Sequence, residues 1–125
     1  MSSFNAEMTV DNQTFPVSQC FFQIRRVVDS HGRPQSRPYW SAWISMESTA
    51  KSTIANWMLD PNKQLDVKIT FSQTGQPAKF REITLSKAYC FEYRERFTSD
   101  EDYGLLRFMV MGPEVSIDND YYTHE

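Results

Sequence analysis

Along most of this 125-residue chain apolar and polar side chains alternate one for one, and that period of two is the strongest constraint on its fold. Successive side chains of a strand leave opposite faces, so strict alternation gives a ribbon with one buried and one wet side. Phe4, Ala6, Met8 and Val10 interleave with Asn5, Glu7, Thr9 and Asp11. Cys20, Phe22 and Ile24 repeat the pattern, as do Ala42, Ile44 and Met46. Further on, Leu65, Val67, Ile69 and Phe71 do so, then Phe80, Ile83 and Leu85, then Tyr89, Phe91 and Tyr93, and finally the segment 105–111. Turn residues fall between these runs at 11–14, 72–77 and 98–102, and Gly112-Pro113 closes the last. Val115 and Ile117 suggest a short extra strand, and 118–125 reads as a polar tail.

One window breaks the alternation. Ile54, Trp57 and Met58 stand at i, i+3 and i+4, Ser48 or Thr49 offers a cap, and Asp60-Pro61 is a stop, which together predict a short helix. The expectation is a mainly β domain spanning 1–125. It is a small barrel or two-sheet sandwich of about seven strands with one flanking α-helix.

Composition narrows the function. Hydrophobic residues make up 40% and aromatics 14%, enough for a folded domain with a modest core. The formal charge of −3 argues against a nucleic-acid coat. No apolar run approaches the roughly 18 residues of a membrane helix. The first residues lack the basic and apolar regions of a secretory signal, so synthesis in the cytoplasm is expected. Cys20 and Cys90 sit among aromatics and read as reduced core thiols.

Catalytic constellations are poor. His31 lies in a Gly/Pro loop and His124 near the end, so neither a His-centred triad nor a multi-His metal site is expected. Glu92 and Glu95, three apart in a strand, leave opposite faces. Asp100-Glu101-Asp102 lacks the alternating ligands and distal Glu of a calcium loop and reads as an acidic turn. No phosphate-binding, nucleophile-elbow or zinc-helix motif occurs. No catalytic residue, cofactor or metal is expected.

The stretch 29–38 is the functional candidate. It holds two Pro and one Gly, is long for a compact domain, and gathers Asp29, His31, Arg33 and Arg37 beside Tyr39 and Trp40. Arg, Tyr and Trp are enriched at protein–protein contacts, which favours a contact arm over a nucleic-acid site and leaves a plain solvated hairpin loop as the alternative.

Four ordered pieces carry a family likeness. They are Arg26-Val27-Val28-Asp29-Ser30-His31-Gly32-Arg33-Pro34, Glu47-Ser48-Thr49, Trp57-Met58-Leu59, and Lys87-Ala88-Tyr89-Cys90-Phe91-Glu92-Tyr93-Arg94-Glu95-Arg96-Phe97. Together they resemble the tube protein of the type VI secretion system (TssD, or Hcp) in its Bacteroidetes version, over roughly residues 8–110. The resemblance implies a non-enzymatic two-sheet barrel with a flanking helix. It implies homo-hexameric rings that stack into a tube inside a contractile sheath, with spike proteins and effectors as further partners and effectors carried in the lumen. It also implies export through the machine itself, without a signal peptide and without insertion in a membrane. In that setting the 29–38 loop, with Asp29, His31, Arg33, Arg37, Tyr39 and Trp40, becomes the ring-stacking element. The strand of Phe4, Ala6, Met8 and Val10, free of Pro, Lys and Arg, becomes the edge that pairs with a neighbour. Two other readings remain open here: a tail-tube protein of a phage or extracellular contractile particle, and a monomeric barrel that binds a ligand or peptide.

Overall fold

The computed structural model describes residues 4–26, 28–34, 39–73, 79–118 and 120–123, with the side chains of Lys79 and 120–123 left aside. β1 (Phe4–Val10) folds back on β2 (Gln13–Val17). Val10 faces Gln13 in register, so only Asp11 and Asn12 make the turn, at φ 52° and 60°. A two-residue hairpin turn needs that left-handed backbone, which Asp and Asn tolerate best after Gly. The expected turn at 11–14 is thus half as long, and Gln13 and Thr14 open a strand that the alternation rule passes over. In that strand Phe15 and Val17 point inward around the outward Pro16.

A single residue, Ser18, separates β2 from β3 (Gln19–Arg25), yet the partner changes: β2 pairs with β1 and β3 with β4 (Tyr39–Glu47). The Ser18 N–H and hydroxyl both donate to the Ser45 carbonyl, at 2.8 and 3.0 Å. After α1 (Thr53–Leu59) come β5 (Leu65–Gln73), β6 (Lys79–Arg96), β7 (Leu105–Gly112), β8 (Glu114–Ile117) and β9 (Asp120–Thr123). Every pairing is antiparallel, in the order β2-β1-β5-β6-β7-β4-β3 with β8 and β9 alongside β6.

β6, 18 residues long, belongs to two sheets. Its first half pairs with β5 and β8, its second with β7. The bend falls at Lys87, whose φ is 56° and whose N–H is held by the Asp66 carboxylate at 3.0 Å. The first sheet is therefore β2-β1-β5-β6-β8-β9, the second β6-β7-β4-β3. They are continuous through β6 and meet again across Ser18, which makes the barrel-like, two-sheet fold expected. Two expectations change. The runs at 80–85 and 89–93 are one bent strand, and the polar tail contains β9, which pairs with β8.

The inward faces share one core. Trp40, Ala42, Ile44 and Met46 of β4 and Phe108 and Val110 of β7 pack with Met8, Val10, Val67, Ile69 and Leu85. Gly112 stands opposite Trp40 in register, and a Cβ there would lie 2.8 Å from the Trp40 ring. The glycine is what lets the indole lie against the strand. α1 buries Ile54 and Trp57. The Trp57 N–H donates to the carbonyls of Lys63 and Ala88, both at 3.1 Å, so the helix is tied to the bend of β6. Its N-cap is Ser52, not Ser48 or Thr49. Ser48 is committed elsewhere, its N–H to the Gly104 carbonyl and its hydroxyl to Glu95.

Candidate assembly surfaces

The second sheet has two hairpin loops, and they lie at opposite ends. Arg25 pairs with Tyr39, Trp40 with Gly112, and Met111 with Tyr89, which puts the β3–β4 loop at one end. Glu47 pairs with Leu105, and Leu105 with Arg96, which puts the β6–β7 loop at the other. β4 crosses between them in nine residues, roughly 27 Å.

The first end is basic. Residues 25–38 hold four arginines against one aspartate, a formal +3. The loop builds a small hairpin of its own, with Val28 bridged to Pro34 and the Asp29 N–H donating to the Arg33 carbonyl at 2.8 Å. Asp29 organises the tip: its Oδ1 accepts the backbone N–H of His31 at 2.9 Å and of Arg33 at 3.0 Å. Gly32, at φ +76°, completes the reversal. Arg25, Arg26, His31 and Arg33 are all exposed. Asp29 therefore shapes the tip, and His31 and Arg33 are what it presents. Arg37 lies outside the described residues.

The second end is acidic. Residues 97–104 carry Asp100, Glu101 and Asp102 and no cation, a formal −3, and all three are exposed. Phe97 is 71% exposed and Tyr103 50%. The Phe97 ring lies over Gly104, where a Cβ would meet it at 2.4 Å. Beneath, Glu95 accepts from Ser48 and from the Tyr93 hydroxyl. Desolvation first, then that carboxylate, push the Tyr93 phenol up to about 12.

Beside the basic loop lies an apolar hollow of about 400 Å³, formed by Tyr39, Tyr89, Phe91, Met111 and Pro113 with Trp40 behind them. Trp40 itself is 1% exposed, with its indole N–H buried and unpartnered among the described residues. This corrects its expected place as a surface anchor. Even positions of β4 point into the barrel, so Trp40 is a core residue, and Tyr39, one position earlier and half-buried, is the member of the pair that reaches the surface.

The expected edge strand also needs correction. β1 runs between β2 and β5, paired from Ala6 to Val10 on one side and from Phe4 to Val10 on the other. Met8 and Val10 are buried core residues, Ala6 packs against that core, and Phe4 is half exposed at the strand's start. Among the described residues β2, β3 and β9 are paired on one side only, as is the second half of β6, which pairs with β7 alone. The hidden β2 is the reason: nothing in β1 itself signals that a neighbour covers it.

Among the described residues no three His, Cys, Asp or Glu side chains gather as a metal site would require. Cys90 is buried and Cys20 is half-buried against the core; desolvation pushes both thiols up to about 11, which disfavours the thiolate a nucleophile needs.

A family model described as hemolysin coregulated protein Hcp (TssD) matches residues 2–123. The chain belongs to that family. It is a structural tube subunit of a type VI secretion system and a secreted component of that machine. Solved structures agree on the fold. Hcp1 from Flavobacterium johnsoniae superposes with a TM-score of 0.81 at 21% identity, over 96% of this chain and 99% of that one. A type six secretion system protein gives 0.75 at 10% identity, over 92% and 83%. A chain of an extracellular contractile injection system's sheath–tube complex gives 0.62 at 12%, over 90% and 87%. No curated protein matches by sequence. The Hcp fold is thus shared with a chain of a related contractile machine, while the family match assigns this chain to the secretion tube.

Proposed function

We propose that six copies of this Hcp chain close into a ring, that rings stack into the inner tube, and that effectors travel in its lumen. The chain is made in the cytoplasm, acts through this tube domain with no catalytic role, and leaves through the apparatus behind a spike protein. The observation that carries this is the family match across residues 2–123. The edges support it: β2 and β3 each keep one side unpaired among the described residues, as head-to-tail ring closure by strand pairing requires. Asp29, His31, Arg33, Arg37 and Tyr39 serve stacking. Weak individual contacts suffice, because a tube repeats each one many times.

Light scattering combined with negative-stain microscopy tests the reading. Rings of about six subunits with a central hole are expected. A particle that stays monomeric at high concentration overturns it.

A further inference from the structure

In a stack of identical rings each copy meets the next by translation and rotation along one axis, so one end of the chain must fit the other. The second sheet has two ends that do. One carries the hollow of Tyr39, Tyr89, Phe91, Met111 and Pro113 beside a loop of formal charge +3. The other carries Phe97, the most exposed aromatic among the described residues, beside a turn of formal charge −3. Both hairpins are internally braced, by Asp29 at one end and by Phe97 against Gly104 at the other, so little ordering cost remains on contact.

Resting on the tube reading, we propose that the hollow at the arginine end accepts Phe97 of the next copy along the tube, with Arg25, Arg26 and Arg33 facing that copy's Asp100, Glu101 and Asp102. An aromatic ring seated in an apolar pocket within a charged rim is the usual anatomy of a contact's strongest point. Matched charge sets polarity as well. Arginine end against arginine end repels, so rings add head to tail and the tube acquires a direction. The rim is exposed and therefore salt-sensitive, while the aromatic seat is not.

Cross-linking with a short bismaleimide tests the pairing. Arg33→Cys and Glu101→Cys are made separately and in one chain; the native thiols, Cys90 buried and Cys20 half-buried and both pushed to about 11, react slowly, and the unmodified protein is the control. A mixture of the two single variants should give covalent dimers that neither gives alone. The double variant should give a ladder that runs past the number of subunits in a ring. If microscopy shows stacked rings and no mixed dimer forms, the inference is overturned while the tube reading stands. A ladder that stops at the ring number overturns it too, because the contact is then lateral. If light scattering finds only monomers, the tube reading has failed and the inference with it.

Charge reversal gives a second route. Asp100, Glu101 and Asp102 changed together to Lys should cut stacking at least tenfold and leave single rings. Adding Arg25→Glu, Arg26→Glu and Arg33→Glu to that chain should restore stacking. Stacking unaffected by the first reversal overturns the inference.

Discussion

The outer faces of the two sheets have opposite characters although they cover one core. On the first sheet, apart from the half-exposed Phe4 and Phe80 rings that meet edge to face, the outward residues are mostly small, hydroxylic or charged, and several pair with one another. Lys68 pairs with Glu82 at 3.6 Å, Arg81 with Asp118 at 2.7 Å, and Lys87 with Glu114 at 3.1 Å. The Thr9 and Thr14 hydroxyls meet at 3.2 Å across the β1–β2 hairpin. On the second sheet Phe21, Trp43 and Met109 form a cross-strand row, with Phe21 60% exposed. The Arg107 guanidinium lies 5.3 Å from the centre of the Trp43 ring. Even the outward serines of β4 are covered, Ser41 and Ser45 being 4% and 6% exposed. The first face is mostly polar, while the second holds a row of apolar area across its strands. The barrel's stability and its assembly surfaces are thus written on different sides of the same strands, and β4 carries both.

Two tryptophans three residues apart on β4 give the sharpest way to break that comparison. Trp40→Ala removes a fully buried ring against Gly112 and should cost about 3–5 kcal/mol in denaturant unfolding. Trp43→Ala removes a half-covered ring and one cation–π contact, and about 1–2 kcal/mol is expected. Equal losses would mean that β4 has two core faces. On the first sheet, Lys68→Ala should change stability by about 0.5 kcal/mol or less, because Lys68 is exposed and its 3.6 Å contact with Glu82 is screened by water. A larger loss there would show that this face, too, does structural work beyond meeting water.

How far the sequence reached follows the same line. Alternation marks which side of a strand is buried, and it located Met8 and Val10 of β1, Ala42, Ile44 and Met46 of β4, and Val67 and Ile69 of β5. It is silent about neighbours. β1 reads as a clean ribbon whether it lies at an edge or between two strands, so the burial of Met8 and Val10 was legible and their supposed edge role was not. Alternation also assigns sides only relative to one another: Trp40 and Tyr39 are equally bulky, and the register with Gly112 decides which goes inside. Missed strands share a local cause. Asp11-Asn12 and Asp118-Asn119 are both Asp-Asn dipeptides, and the strands they introduce, β2 and β9, are short. A two-residue turn read as a longer loop absorbed the first of them. The loop at 29–38 was legible as a projection from its Pro, Gly and Arg content. Its acidic counterpart at 97–104 read as an ordinary turn, because only the sheet places it opposite.

The thiols test the inward side chemically, with the smallest effect at neutral pH. Cys20 and Cys90 face the barrel interior from β3 and β6, and burial raises both from 9.0 to about 11. Two units mean roughly a hundredfold less thiolate at pH 8 than in an exposed cysteine, so alkylation of the folded chain should be slower by about that factor. The linkage has a definite sign. The folded state holds the protons more tightly than the unfolded one, so the thiols' contribution is complete below pH 9 and is lost as pH climbs through about 11. Unfolding midpoints measured from pH 7 to 10.5 should be level at first and fall above pH 9. Cys90→Ala should flatten part of that fall, because the lost slope belongs to the protonated thiol. A curve that stays level to pH 10.5, or a fall untouched by removing Cys90, would show that the interior of the second sheet is open to solvent and that its two faces differ less than their side chains suggest.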